Sequence, residues 1–252
     1  MRHRNRGPRS LLVVRHGESA GNVARDAAEA GGLATIDILE RDMDVPLSAL
    51  GERQAAALGV WLDRLGRDRP TIALSSPYAR AERTAAIALE TAGLSKVPIV
   101  LDERLREREF GALDRLTKLG IQQRFPEEAT ARLRVGKFYH RPPGGESWCD
   151  VALRVRSVLD SMAREFDGER LLVIAHEVVV LQFCYVLEHL TEHDILALAR
   201  EHPLANCSVT SFVADRRRKS GALRLDTFGT AVPLEQAGAP VTREHDAAVA
   251  SH

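Results

Sequence analysis

The chain has 252 residues, 44% hydrophobic and 28% charged, and its 35 Lys and Arg balance 35 Asp and Glu. That length favours one large domain or at most two small ones, with enough apolar material for a sizeable core. A formal net charge of zero excludes a global field that would draw in DNA or an anionic membrane, so any affinity for phosphate must come from a local cluster of cations.

The N-terminus is basic up to Arg9, but the apolar run after it, Leu11 to Val14, is too short for the core of a signal peptide and is closed at once by Arg15. Leu11 to Val14 reads as a fully buried strand. Arg15-His16-Gly17-Glu18-Ser19 follows it, with Asn22 three residues on. A long spacer containing Gly31-Gly32 leads to Pro46-Leu-Ser-Ala-Leu-Gly51. Gln54, Ala55, Leu58, Trp61, Leu62 and Leu65 then recur at three- and four-residue spacing, which predicts an amphipathic helix. Thr71 to Leu74 is a second strand, followed by Ser75-Ser76-Pro77-Tyr78-Ala79-Arg80 with Thr84 beyond. Val97 to Leu101 is a third, followed by Leu105-Arg106-Glu107-Arg108-Glu109-Phe110-Gly111.

Val151, Val155, Val158, Leu159, Met162 and Phe166 form another helical stripe, with Ser147 and Asp150 spaced for a capping box. Leu171 to Ala175 is a fourth strand, and His176-Glu177 follows it. Val209 to Ala214 and Ala222 to Phe228 read as a hairpin whose turn, 215–221, is basic. From about Val232 to the end the chain is rich in Ala, Pro and charge without a period, which predicts a tail of low order over 232–252.

Buried strands alternating with helices predict an α/β fold: a three-layer α/β/α sandwich with a mostly parallel sheet. In such sheets ligands bind beyond the carboxyl ends of the strands. Here three strand ends deliver two histidines and two arginines to one edge. Arginine's planar fork suits the oxygens of a phosphoryl dianion. A neutral imidazole can attack phosphorus and form a phosphohistidine that water hydrolyses. The leaving oxygen needs a proton from a carboxylic acid whose pKa the site has raised, and 105–111 holds the candidates.

These segments resemble the histidine phosphatase superfamily, the phosphoglycerate mutase-like proteins. The resemblance rests on Arg-His-Gly-Glu at 15–18, Pro46 to Gly51, Ser-Ser-Pro-Tyr-Ala-Arg at 75–80, Leu-Arg-Glu at 105–107 and the lone His176, in the family's order, over about residues 10 to 212. It implies that His16 is the phosphorylated nucleophile, that Arg15, Arg80 and His176 surround the phosphoryl group, that Asn22 adds a polar contact, and that Glu107 is the proton donor. Gly17 is expected to keep the loop small for close approach to the phosphate. Neither a metal nor any other cofactor is expected.

The chain also departs from the family pattern. Glu177-Val-Val-Val stands where many members have Gly after the second histidine, and the spacer from Asn22 to Pro46 is long. Residues 104–147 are expected to be a substrate-facing insertion within a catalytic domain spanning 1–231. Its Phe138-Tyr139 and Pro-Gly-Gly-Glu-Ser (143–147) are similar to plant and fungal members that are phosphatases. Glu-Phe-Gly-Ala-Leu at 109–113 is similar to true mutases, which generally carry a histidine at the place of Glu109 and an adjacent arginine pair that this insertion lacks.

The reading is therefore a phosphomonoester hydrolase acting on a small phosphorylated molecule. The alternatives are a bisphosphoglycerate-dependent phosphoglycerate mutase and, from another class, a non-catalytic phospholigand-binding protein. Neither nucleic acid nor a membrane is an expected partner: Arg216 to Lys219 fits a solvated turn, and no run approaches the ~20 apolar residues of a membrane span. Three scattered cysteines, Cys149, Cys184 and Cys207, argue for a reducing cytoplasm. Oligomeric state is left open, a homodimer being one alternative. His189 and His193 have metal-ligand spacing on an expected helix but lack a third ligand, so they are read as structural.

Overall fold

The computed structural model describes residues 7–215 and 222–243. Its centre is a six-stranded mixed sheet made of β1 (Ser10–Arg15), β2 (Ile72–Ser75), β3 (Ile99–Leu101), β4 (Arg170–Ala175), β5 (Val209–Ala214) and β6 (Leu223–Thr230), in the order β3-β2-β4-β1-β5-β6. The first four strands are mutually parallel, and β5 runs against both β1 and β6. The predicted α/β class and mostly parallel sheet therefore hold.

Strand alternation decides which helices cover which face. Leu11, Val13, Leu171, Val173 and Ala175 face one side, where they pack with α6 (Trp148–Glu165), α7 (Glu177–Leu187) and α8 (Glu192–Glu201). Val14, Ala73, Leu172 and Ile174 face the other, against α2 (Ala49–Arg64) and α3 (Ala79–Thr91). Three layers result because both faces of the central strands are apolar and neither can stay in water. The helix α6 sits where its stripe predicts. Trp148, Val151, Val155, Val158 and Met162 are buried along it, and burying each such side chain stabilises by roughly 1.5–3 kcal/mol. Its N-terminus carries the predicted capping box between Ser147 and Asp150. The remaining helices are α1 (Ala20–Ala30), α4 (Lys118–Arg124), α5 (Pro126–Val135) and α9 (Val232–Ala237).

Two expectations are corrected. The segment from Val232 is not of low order throughout: α9 buries Leu234 completely beside Ala55, Ala57 and Cys207. The Gln54 amide donates to the Pro240 carbonyl at 3.0 Å and to Thr242 Oγ1 at 2.9 Å, which ties the chain down as far as Thr242. A single apolar anchor and a buried amide hold what composition alone marks as tail. His189 and His193 do not share a helix: α7 ends at Leu187, His189 has φ 54°, and α8 starts at Glu192. No group of three potential metal ligands occurs among the described residues. The basic turn around Arg216 lies outside them. No helix of the described residues is long and apolar enough to cross a membrane.

Candidate active site

The sheet register builds the site. Arg15 pairs with Ala175 and Ser75 with Ile174, so the residues that follow all emerge at one carboxyl edge. His16 N–H donates to the Ala175 carbonyl at 2.9 Å and Ser76 N–H to that of Ile174 at 3.0 Å, which carries the ladder one residue further. His16 and His176 end with ring centroids 5.1 Å apart in an edge-on arrangement. Arg80 enters from the second residue of α3, and its Nε lies 3.3 Å from His16 Nε2. Glu107 arrives from the loop after β3, with Oε2 3.5 Å from His176 Nδ1. Sequence reasoning brought residues 15, 16, 80, 107 and 176 to one edge, and the structure brings their side chains together there.

The protonation state of His16 follows from its partners. Its Nδ1 is 2.6 Å from the Gly17 carbonyl, which can only accept, so Nδ1 carries the hydrogen. Nε2 is then a lone pair, and Arg80 Nε–H donates to it. Burial, helped by the charges of Arg80 and Arg15, holds the imidazole well below its usual range and keeps it neutral. His176 is lowered for the same leading reason, burial, with Arg80 again contributing. Its Nε2 is 2.9 Å from Ser76 Oγ. Burial pushes Glu107 the other way, upward, against the pull of Arg80. A neutral imidazole therefore shares the site with a carboxyl whose pKa is raised.

A cavity of about 160 Å³ opens on this edge. Arg15, His16, Asn22, Arg80 and Glu107 line it, together with Arg108, Phe110 and Arg132 from the 104–147 segment, and with Ile36, Ile38 and Asp42 from the α1–α2 spacer. His176 is fully buried behind His16 and is not on the wall. Arg15 is 2% exposed; its Nη1 donates to the Leu204 carbonyl at 2.6 Å and lies 3.8 Å from Glu177, so it is partly committed to holding the rim.

Two expected roles change. Asn22 lines the cavity, but its Oδ1 accepts from Ser19 N and Oγ in the capping box of α1, which leaves only its amide N–H groups to face a ligand. Gly17 is not on the cavity wall. Its N–H donates to Thr84 Oγ1, and a Cβ there would lie 2.6 Å from the Gly51 carbonyl. Its smallness serves close packing of α2 against the loop that carries His16 rather than approach to a phosphate. Gly51 is the other half of that contact, with a Cβ position 1.9 Å from the Glu18 carbonyl. The Pro46-to-Gly51 motif is thus a brace: Ser48 caps α2, donates from Oγ to Glu18 at 2.6 Å, and fixes the loop that carries His16.

Several residues escaped the sequence reading. Ser76 positions His176, and it lay inside a quoted motif without a role. Asn206 Nδ2 donates to the His16 carbonyl at 3.1 Å from 190 residues away, which no local pattern signals. Glu146 accepts from Arg106 at 2.7 Å, from Arg154 at 3.0 and 3.1 Å, and from Glu109 N–H, and so pins the loop that bears Glu107. Asp42 holds Arg80, with Oδ1 3.0 Å from Nη2 and the Asp42 carbonyl 2.5 Å from Nη1.

Comparison with known proteins gives a consistent result. Residues 11–226 match the model of the Histidine phosphatase superfamily (branch 1). A 2,3-bisphosphoglycerate-dependent phosphoglycerate mutase of Methylobacterium radiotolerans is 35% identical over 189 residues, covering 74% of this chain and 82% of that protein. Among solved structures, Bacillus stearothermophilus YhfR superposes with a TM-score of 0.70 at 26% identity, covering 89% of this chain and 98% of that one. A mycobacterial glucosyl-3-phosphoglycerate phosphatase in complex with inorganic phosphate superposes with a TM-score of 0.66 at 26% identity, covering 89% and 99%.

Proposed function

The chain belongs to the histidine phosphatase superfamily, and we propose that His16 takes the phosphoryl group of a small phosphomonoester and passes it to water. The observation that carries this reading is the neutral imidazole of His16, its Nε2 lone pair held beside Arg80 on the wall of an arginine-lined cavity.

The steps follow from the geometry. Arg15 and Arg80 take the non-bridging oxygens, and His176, buried behind His16 with its Nε2 on Ser76, supports the His16 ring from inside. Nε2 of His16 attacks phosphorus in line while the bond to the leaving oxygen breaks. Glu107 gives its proton to that oxygen, and the alcohol departs. Water then attacks the phosphohistidine; the Glu107 carboxylate takes its proton, the N–P bond breaks, and orthophosphate leaves. Ser76 and Glu146 act by positioning, through His176 and through the Glu107 loop respectively.

The 104–147 segment supplies Arg108, Phe110 and Arg132 to the wall, which supports its expected role in facing the leaving group. Cys149, Cys184 and Cys207 are all free thiols, which supports a reducing, cytoplasmic setting.

The mutase reading stays as the second, favoured by the 35% identical relative above. Incubation with 3-phosphoglycerate and a catalytic amount of 2,3-bisphosphoglycerate separates the two. We expect orthophosphate; accumulation of 2-phosphoglycerate would make the chain a mutase. A panel of sugar phosphates, phosphoglycerates, nucleotides and phosphopeptides, run with wild type and His16→Ala, tests the reading itself. Wild type should turn over at least one ester and His16→Ala none. A variant that keeps more than a few per cent of wild-type activity removes His16 as the nucleophile.

A further inference from the structure

Arg80 is already paired within the protein. Its guanidinium has three nitrogens, and all are engaged: Nε with His16 Nε2 at 3.3 Å, Nη1 with the Asp42 carbonyl at 2.5 Å, and Nη2 with Asp42 Oδ1 at 3.0 Å. Asp42 holds both Nη atoms, the edge of the planar fork that suits a bidentate oxyanion. Arg80 is 4% exposed and lines the cavity beside Asp42, so an anion that enters there meets a guanidinium already paired with a carboxylate. Asp42 differs from its partner: its side chain is 42% exposed, and it sits in a three-residue 3-10 turn, Asp42–Asp44, within the long α1–α2 spacer.

The spacer is anchored unevenly. At one end Thr117 N–H donates to the Ala34 carbonyl, Ile36 N–H to that of Arg115, and Thr35 bridges to Leu116. At the other end Ala20 N–H donates to the Pro46 carbonyl and Ser19 bridges to Leu47. Between them, the contacts of Asp42 to Arg80 and of the Arg115 guanidinium to the Glu40 carbonyl hold the strip against the cavity. A carboxylate on a strip fixed at both ends can leave the guanidinium by a local change in the turn.

We propose that Asp42 is a resident anion for Arg80: its carboxylate keeps the guanidinium aimed beside His16 while the cavity is empty, and the phosphoryl group displaces it. The inference rests on the reading that Arg80 binds the phosphoryl group. Displacement sets an opposing term for every phosphoryl ligand, product as well as substrate. Asp42 therefore weakens the hold on orthophosphate and favours its release after each turnover.

Two measurements test it. Orthophosphate and orthovanadate inhibition constants are determined for wild type and Asp42→Asn, with the best ester of the panel as substrate. Asp42→Asn should tighten both constants at least fivefold and lower KM in parallel. Constants that are unchanged or weaker would overturn the proposal, since they would make Asp42 a support for Arg80 and nothing more. The second measurement needs no variant. Amide exchange of wild type is followed with and without saturating orthophosphate. Asp44 N–H donates to Arg41 and Val45 N–H to Asp42, and both should exchange faster when phosphate is bound, while amides near His16 slow. Protection of residues 42–45 by phosphate would also overturn it. Failure of wild type to hydrolyse or bind any phosphate would instead remove the phosphatase reading, and this inference with it.

Discussion

Replacing Glu107 by Gln isolates one step of the reaction. The two side chains have the same shape, and the variant's side-chain oxygen can still accept from Arg108 N–H, as Glu107 Oε1 does at 2.8 Å. The loop is held from outside by Glu146 and by Arg154, whose Nη2 donates to the Glu107 carbonyl at 3.2 Å, so the fold should survive. What disappears is the ionisable proton of a carboxyl whose pKa burial raises against the pull of Arg80. A positioned general acid contributes about 10²- to 10⁴-fold, or roughly 3–5 kcal/mol of barrier. The whole of that loss should fall on an alkyl phosphate, whose alkoxide cannot leave unprotonated. A nitrophenyl phosphate needs no such help in the first step, and there the loss should stay below about tenfold.

The assay is rapid-quench kinetics on both esters. With the aryl ester, Glu107→Gln should give a fast burst of phenol equal to the enzyme present, then a slow phase, because water attack on the phosphohistidine still lacks its base. Wild-type activity on the alkyl ester should also fall as pH rises through the raised pKa of Glu107, and the variant should lose that limb. Equal losses on the two esters, without a burst, would show that Glu107 is not the proton donor.

Three further outcomes follow from the packing. Gly51→Ala places a methyl where the Glu18 carbonyl stands 1.9 Å away; we expect a loss of about 3 kcal/mol or more by urea unfolding, with activity falling as the His16 loop shifts. Glu146→Ala leaves Arg154, 9% exposed, with only the Arg104 and Glu107 carbonyls; a stability loss of about 3 kcal/mol should come with a drop in kcat larger than the change in KM. His16 and His176 both have lowered pKa values in the fold. Below about pH 6.5 the unfolded chain binds protons that the folded one refuses, so stability is full above that pH and falls as pH drops towards the folded values. Two such groups give a slope of at most about 2.7 kcal/mol per pH unit. A His16→Asn, His176→Asn double variant should show a shallower fall between pH 6.5 and 5 in urea midpoints, and equal slopes would refute the assignment.

How much of this was legible before folding depends on whether the signal is local. Apolar runs such as Leu11 to Val14 and Leu171 to Ala175 are contiguous, so strands, their burial on both faces and the α/β class could be read directly. The rule that ligands gather beyond strand ends then brought Arg15, His16, Arg80 and His176 to one edge. Arg15, His16 and His176 lie at or directly after their strands and Arg80 one short turn beyond β2, so the register aligns what the chain already places close.

What the sequence could not supply are relations between distant segments. Composition marked residues from Val232 onward as tail, yet Leu234 is an anchor because α2 presents Ala55 and Ala57 to it. Gly17 was assigned to the phosphate, yet its missing side chain makes room for Gly51, 34 positions away in the chain. Nothing near Asp42 announces that it grips Arg80, nor anything near Asn206 that it steadies His16. Residue type and local period determine which groups are available and which element carries them. Only the packed chain decides which charges meet, and in a buried site those meetings set the pKa values that make the chemistry work.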